Sequence, residues 1–441
     1  FCTRYDKRKQ FRLKYFCTGK NKVIGDNEKQ TELKNIILLF LGLLSAFGPF
    51  VMDMYLPTLP AMSVYFRTTS SMVQLGLTTS MAGLAAGQLF FGPLSDKYGR
   101  HPVLSVALML FLLSTAGCIF SENILQFITL RFLQGVSGAG GVVLSRSIAA
   151  DKYSARELAG VLAVIGGING VATVAAPIAG GFLADASGWQ GIFWSLFLLG
   201  TILLAGSFRM EESHPAGQRT SVRWNDILRN FSLILRNRQY LAYTLQYGFT
   251  MGVLFVNIAS APFIMQEHYG LSAMQFSLCF GANAIAMAIA STVAVKLPTM
   301  KDALHIGSSG MLWLSFAWLA ALSQGCSFWI YETLVFALLS MAGITFTASN
   351  TLAMECEREN AGVASALLGT AGFAVGGIMS PLVGLGNILF STGMLFIFSS
   401  FLALLCTHYA LSSQSFIRSH ILEELRQAAK KISVLPRQNS K

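Results

Sequence analysis

Charge is what this sequence has least of. Only 12% of its 441 residues are Asp, Glu, Lys or Arg, against roughly 25% in an ordinary soluble domain, and 53% are hydrophobic. A water-soluble globular fold is excluded on that balance. Catalytic and cofactor signals are missing as well. No phosphate-cradling Gly-rich Lys-Ser/Thr loop occurs, the seven cysteines show neither a disulfide framework nor metal-ligand spacing, and no His, Cys or Ser nucleophile cluster stands out in the apolar stretches. No metal, no cofactor and no enzyme activity are expected. The first 30 or so residues are polar and basic and lack the apolar core of a signal peptide. They read as a disordered tail or as residues foreign to the native protein.

What is there is a series of long uncharged runs. They hold 28 residues between Arg67 and Asp96, 20 between His101 and Glu122, 27 between Glu157 and Asp185, 23 between Asp185 and Arg209, and 28 between Arg238 and Glu267. Each exceeds the roughly 18 apolar residues that mark a membrane-crossing helix. Similar runs follow to Glu359, and the 58 residues between Glu359 and Arg418 hold two spans joined near Gly384 to Asn387. With a first span from about Asn35 and a fourth from about Ile124, the spacing predicts an all-α integral membrane protein of twelve transmembrane helices.

The basic residues set the orientation, because cytoplasmic loops carry the excess of Lys and Arg. Twelve spans that start inside place 30 of the 32 Lys and Arg on the cytoplasmic side. The two others are Arg67, on the outer side, and Arg131, inside the fourth span. A wrong span count would scatter this pattern. The net charge of +11 is therefore a topology signal and an attraction to anionic lipid, not a nucleic-acid footprint, and both termini are expected in the cytoplasm.

Two stretches repeat. Arg156-Glu157-Leu158-Ala159-Gly160-Val161 and Arg358-Glu359-Asn360-Ala361-Gly362-Val363 differ at one position, and each opens a Gly-rich span with one proline, Pro177 or Pro381. Two six-helix halves follow, in the manner of transporters that rock one half against the other. The expected units are a basic tail over 1–34, a first bundle over 35–209, a cytoplasmic linker over 210–238, a second bundle over 239–411 and a tail over 412–441. The linker and the C-terminal tail both carry amphipathic patterns, suited to lying on the inner membrane surface or to loose solvation.

The loop after span two reads Gly92-Pro-Leu-Ser-Asp96-Lys-Tyr-Gly99-Arg100-His-Pro-Val-Leu104. It resembles the signature loop of the major facilitator superfamily. Asp96 ends a helix, where the dipole disfavours an anion, so it should seek a cation or the N-terminus of another helix. The resemblance implies that this helix is span eleven, near Ala361, making Gly92, Asp96, Gly99 and Arg100 a conformational latch. Span four carries Arg131-Phe-Leu-Gln134-Gly135-Val-Ser-Gly138-Ala-Gly140-Gly141, similar to the superfamily's Arg-containing fourth-helix motif. Its glycines let another helix approach beside a costly intramembrane cation. Snorkelling of Arg131 to the outer interface is the alternative. Span five, with Gly170, Pro177, Gly180 and Gly181, resembles the motif of drug antiporters, although Ala176 stands where Gly commonly precedes the proline.

The stretch Met52-Asp53-Met54-Tyr55-Leu56-Pro57-Thr58-Leu59-Pro60 resembles the same place in the Bcr/CflA branch, the bicyclomycin and chloramphenicol resistance transporters. Pro57 has no N–H for the carbonyl of Asp53, and Pro60 none for that of Leu56. Span one therefore breaks where its carboxylate sits. Asp53 lies about 18 residues, roughly 27 Å, into the span, and Arg131 roughly 10 Å from the outer edge. Their depths permit a direct or water-linked pair, and Asp53 reads as the one acid deep in any span, with Glu122, Asp185, Glu267 and Glu332 at the outer boundary. Asp53 and Arg131 are the expected proton-coupling pair; an Asp53 simply exposed to outside water is the alternative. Tyr55, Gln246, Tyr243, Tyr247, Asn257 and Asn283 combine aromatic faces or amide tips in spans and are candidates for substrate contact, with interhelical packing as the competing role.

The resemblance implies proton-driven export of small, chemically mixed drugs or metabolites across a bacterial inner membrane by a monomer. A proton-coupled importer or facilitator of a metabolite is the rival within the fold. An integral membrane enzyme or receptor is the rival from another class.

Overall fold

The computed structural model describes residues 36–215, 217, 219, 229, 232–357 and 361–433, with the side chains of 155, 156, 159, 361, 362 and 413–433 excepted. The basic N-terminal tail, most of the amphipathic linker and residues 358–360 of the second repeat lie outside the described residues.

All regular structure among them is helical. Helix α1 runs over 36–53, stops, and resumes through a 3-10 turn, Leu56–Thr58, and a short helix, Leu59–Tyr65. Then come α2 (Ser70–Tyr98), α3 (Arg100–Ile119) and α4 (Ile124–Lys152). The helical stretch Ala155–Ser207 is two spans, α5 and α6, because Gly188 at φ 66° and ψ −169° breaks it; that left-handed corner suits a residue without Cβ. The second half holds α7 (Arg238–Phe263, extended by a π-turn, Ile264–His268), α8 (Ala273–Ala294), α9 (Met300–Ser323), α10 (Phe328–Cys356), α11 (Ala361–Leu382) and α12 (Ile388–Ser433). Twelve helices in two sets of six match the expectation. The first set ends with α6 at Ser207, and the second begins with α7 at Arg238.

Ten helical stretches are long and apolar enough to cross a membrane, one of them the fused α5 and α6. Helix α2 falls short by composition because Ser, Gly and Gln take up much of its buried face. It spends that polarity inside the protein. A Cβ at Gly83, Gly87 or Gly135 would run into backbone of Phe132, Val136 or Ser80, so α2 and α4 touch backbone to backbone.

Among the described residues, the two lobes meet along one end, the end opposite the basic loops. There Ser71 of α2 donates to the carbonyl of Pro381 on α11 (3.1 Å), Gln74 to that of Ala259 on α7 (3.1 Å), and Gln266 to that of Pro57 (2.9 Å). A Cβ at Gly181 of α5 would strike Ser277 of α8. Toward the basic end, a Cβ added at Gly160, Gly166, Gly167 or Gly170 of α5 would meet nothing within 4 Å. Among the described residues, the lobes touch at the end opposite the basic loops, and these α5 glycines face open space toward the basic end.

Candidate functional site

The site begins with the break in α1. Once the helix stops at Asp53, the carbonyl of Val51 has lost the amide that would have bonded it, and the Arg131 guanidinium of α4 takes its place. Arg131 Nη2 donates to Val51 O at 3.0 Å, while Nη1 donates to Gln134 Oε1. Gln134 Nε2 donates in turn to Thr115 Oγ1 of α3 at 2.8 Å. The guanidinium carbon stands 4.3 Å from the Tyr55 ring centroid and 5.7 Å from that of Phe193 on α6, a geometry in which the ring faces attract the cation. Arg131 is fully buried. Snorkelling is thereby ruled out, and a cation at the C-terminal end of a helix is also favoured by the dipole.

Asp53 is 8% exposed. The direct pair anticipated with Arg131 is not formed: among the described residues no ion pair or hydrogen bond reaches its carboxylate. Depth arithmetic matched the two residues, but the arginine fork is aimed at the backbone two residues earlier. Among the Arg131 donors, the Nε–H is left without an acceptor.

The break also lies on the seam between lobes. The Pro57 carbonyl accepts from Gln266 of the second lobe, and a Cβ at Gly180 of α5 would collide with the Met54 carbonyl. Gly181, next along, faces α8. Of the helix-five residues, Gly180 and Gly181 therefore make close approaches, Pro177 sits within the helix, and Gly170 instead borders an open apolar cavity of about 920 Å³ between α5 and α8. A Cβ added at Gly170 would meet nothing within 4 Å.

At the basic end, Asp96 pairs with Arg100 four residues on, and Arg100 Nε donates to Asp151 of α4 at 2.9 Å. Both partners of Arg100 belong to the first lobe; residues 358–360, which precede α11 where the link from Asp96 was expected, lie outside the described residues. The recorded seam of the lobes between α2 and α11 runs from Ser71 down to Gln88, opposite Gly369. Gly99, at φ 99°, turns the chain in the left-handed region and presents the first amides of α3. Glu212, from the segment after α6, accepts from the amides of Arg100 (2.9 Å) and His101 (3.2 Å). Gly92 lies in ordinary contact distance of Val143.

The substrate candidates divide. Gln246 donates to Thr250 (3.2 Å) and Ser308, Tyr243 is sealed in the basic-end core of the second lobe, and Asn283 donates to Glu332 at 2.9 Å. These three pack inside their own lobe, so the structure does not bring them to the seam. Tyr55 holds Arg131. Tyr247 lies at the lobe boundary, against Phe346 (5.3 Å between ring centroids) and within electrostatic reach of Arg146 from the other lobe. Asn257 is buried with neither amide atom bonded. Glu332, expected near the outer boundary, stands in the second turn of α10 against α8, with Oε2 buried. Gln74 and Gln266 were not singled out from sequence, where a lone Gln in an apolar run was the available signal.

Comparison with known proteins agrees with this architecture. The Major Facilitator Superfamily profile matches residues 39–381. The chain is 34% identical over 357 residues to an uncharacterized MFS-type transporter, YdgK, of Bacillus subtilis, covering 80% of this chain and 89% of that protein. It is 32% identical to a bicyclomycin resistance protein homolog of Haemophilus influenzae, covering 79% and 88%. In fold it resembles a bacterial homolog of the human lysosomal transporter Spinster, crystallised inward-facing and unoccupied, with a TM-score of 0.70 at 14% identity over 87% of this chain and 98% of that one. With two sets of six helices, the signature loop between α2 and α3 and relatives along most of its length, the chain belongs to the Major Facilitator Superfamily.

Proposed function

We propose that this protein is a secondary transporter that exports small amphipathic drugs or metabolites in exchange for protons, with its basic end and both termini in the cytoplasm of a bacterial cell. Relatives named for bicyclomycin, chloramphenicol and multidrug resistance support the substrate class. The observation that carries the coupling is the unpaired Asp53 carboxylate at a helix break on the seam between lobes. A carboxylate removed from water without a partner favours its neutral form, and water or a cation restores the charge. Rocking the lobes changes those surroundings.

In the cycle, Asp53 accepts a proton when the outer end is open. The lobes close outside and open inside, and the proton leaves to cytoplasmic water, with the spare Arg131 Nε–H available to the carboxylate. Substrate then occupies the inner cavity, beside Tyr247 and Asn257, and travels outward as the lobes return. Arg131 anchors the broken end of α1 throughout.

The test is substrate-triggered proton release in inverted vesicles, read with a pH-sensitive dye against a panel of antibiotics. Wild type should respond to some compounds, and Asp53→Asn to none. Retained proton release in Asp53→Asn would sink the assignment of the coupling site; accumulation of substrate in place of efflux would favour an importer.

A further inference from the structure

A second carboxylate is built into the other lobe. Glu332, in the second turn of α10, accepts from Asn283 Nδ2 of α8 at 2.9 Å through Oε1. Its Oε2 and the Asn283 Oδ1 are both buried without a hydrogen-bond partner. Asn283 is 1% exposed. The titratable groups that interact with the carboxylate are Cys279 of α8 and Tyr331 of its own helix; Tyr331 in turn interacts with Tyr269 and Cys326, from the loops after α7 and α9. Tyr269 gives its hydroxyl to the Cys326 carbonyl at 3.1 Å. Among the described residues, no Lys or Arg from α7, α8, α9 or α11 acts on Glu332.

An ionised carboxylate offers only acceptors, and so does the carboxamide oxygen. Two buried acceptors with no donor between them are a defect that native proteins avoid. A single proton on Oε2 removes it. A neutral carboxyl has one donor and one acceptor, and the carboxamide presents the complementary acceptor and donor.

We propose that Glu332 and Asn283 form a second proton-binding site, in which the carboxyl is held neutral against the carboxamide at neutral pH. It lies in the lobe that does not carry Asp53. The proton binds to Oε2 with no bond broken elsewhere and leaves as the α8–α10 contact admits water. Its use in coupling rests on the exporter reading; its existence does not.

The experiment is infrared difference spectroscopy of the full chain in lipid between neutral and alkaline buffer. Wild type and Asp53→Asn should show a protonated-carboxyl absorption that Glu332→Gln lacks and that Asn283→Leu displaces in frequency. An identical absorption in Glu332→Gln overturns the site. Should Glu332→Gln fail to fold, an undisplaced band in Asn283→Leu overturns it equally. A wild type that shows the Glu332 band but no drug-triggered proton release leaves this site standing and removes the reading of Asp53.

Discussion

The two charged residues at the break of α1 do different things, and substitution separates them. Arg131 is engaged on every side by a backbone carbonyl, Gln134 and two aromatic rings. Lys carries the charge but not the planar fork, so it cannot serve Val51 and Gln134 together while lying flat on Tyr55. Arg131→Lys should cost about 2 kcal/mol, the scale of a charge-assisted hydrogen bond lost in a buried site. A lowered melting temperature in detergent, together with lost transport, is the expected reading; unchanged stability would show that the cage is not what holds the helix end. Asp53→Asn removes an unpaired buried carboxylate and should keep or raise the melting temperature while abolishing coupling. The sequence announced both residues through their rarity in apolar runs. It could not announce their relation, since depth follows from counting but the face a side chain presents depends on helix rotation. Glu332 shows the same limit from the other direction. Counting puts Glu332 near the start of α10 but gives no sign of the contact that joins it to Asn283, in the middle of α8.

Among the elements, the prolines made the break in α1 legible in advance, and the charge-free runs made the spans legible. Helix α2 was found by lack of charge although its mean apolarity is modest, because membrane proteins hide Ser, Gln and Gly on faces turned to other helices. Less legible was the docking of the segment after α6. Glu212 closes the N-terminal end of α3 by accepting from two of the amides that no helical carbonyl can serve. Nothing local marks it, since its partners lie more than a hundred residues earlier. Its carboxylate also meets Arg219 at 3.9 Å, a partly exposed contact that adds little. Glu212→Ala should destabilise the first turn of α3 by about 1 kcal/mol, the usual scale of an N-terminal cap with dipole attraction. Hydrogen exchange should quicken at the Arg100 and His101 amides while the centre of α3 keeps its protection. Uniform exchange across α3 in wild type and variant would refute the strap.

For the whole molecule, the decisive contacts are those that hold one end of the two lobes together. Hydrogen bonds from Ser71, Gln74 and Gln266 to carbonyls of the opposite lobe are few and neutral, each worth about 1 kcal/mol net. A seam of that strength can open and close under the binding of a proton or a substrate, which shifts a two-state balance only by its difference in affinity for the states. The close approach of Gly181 to Ser277 is part of the closed end. A large side chain there would meet the Ser277 side chain and the Ala273 carbonyl of α8. Gly181→Leu should wedge α5 from α8, cost the outside-closed state about 1–3 kcal/mol as overpacking does, and so shift the population several-fold or more toward outward opening. Paired spin labels across the seam, on Ser71 and Leu385, read that population directly: their distance distribution should lengthen in Gly181→Leu and keep its short component in Gly170→Leu, where open space receives the side chain. Equal distributions in the two variants would mean that the seam at α5 and α8 does not set the state. The same pair of variants tests why glycine recurs in helix five, for closure at one residue and for room at the other.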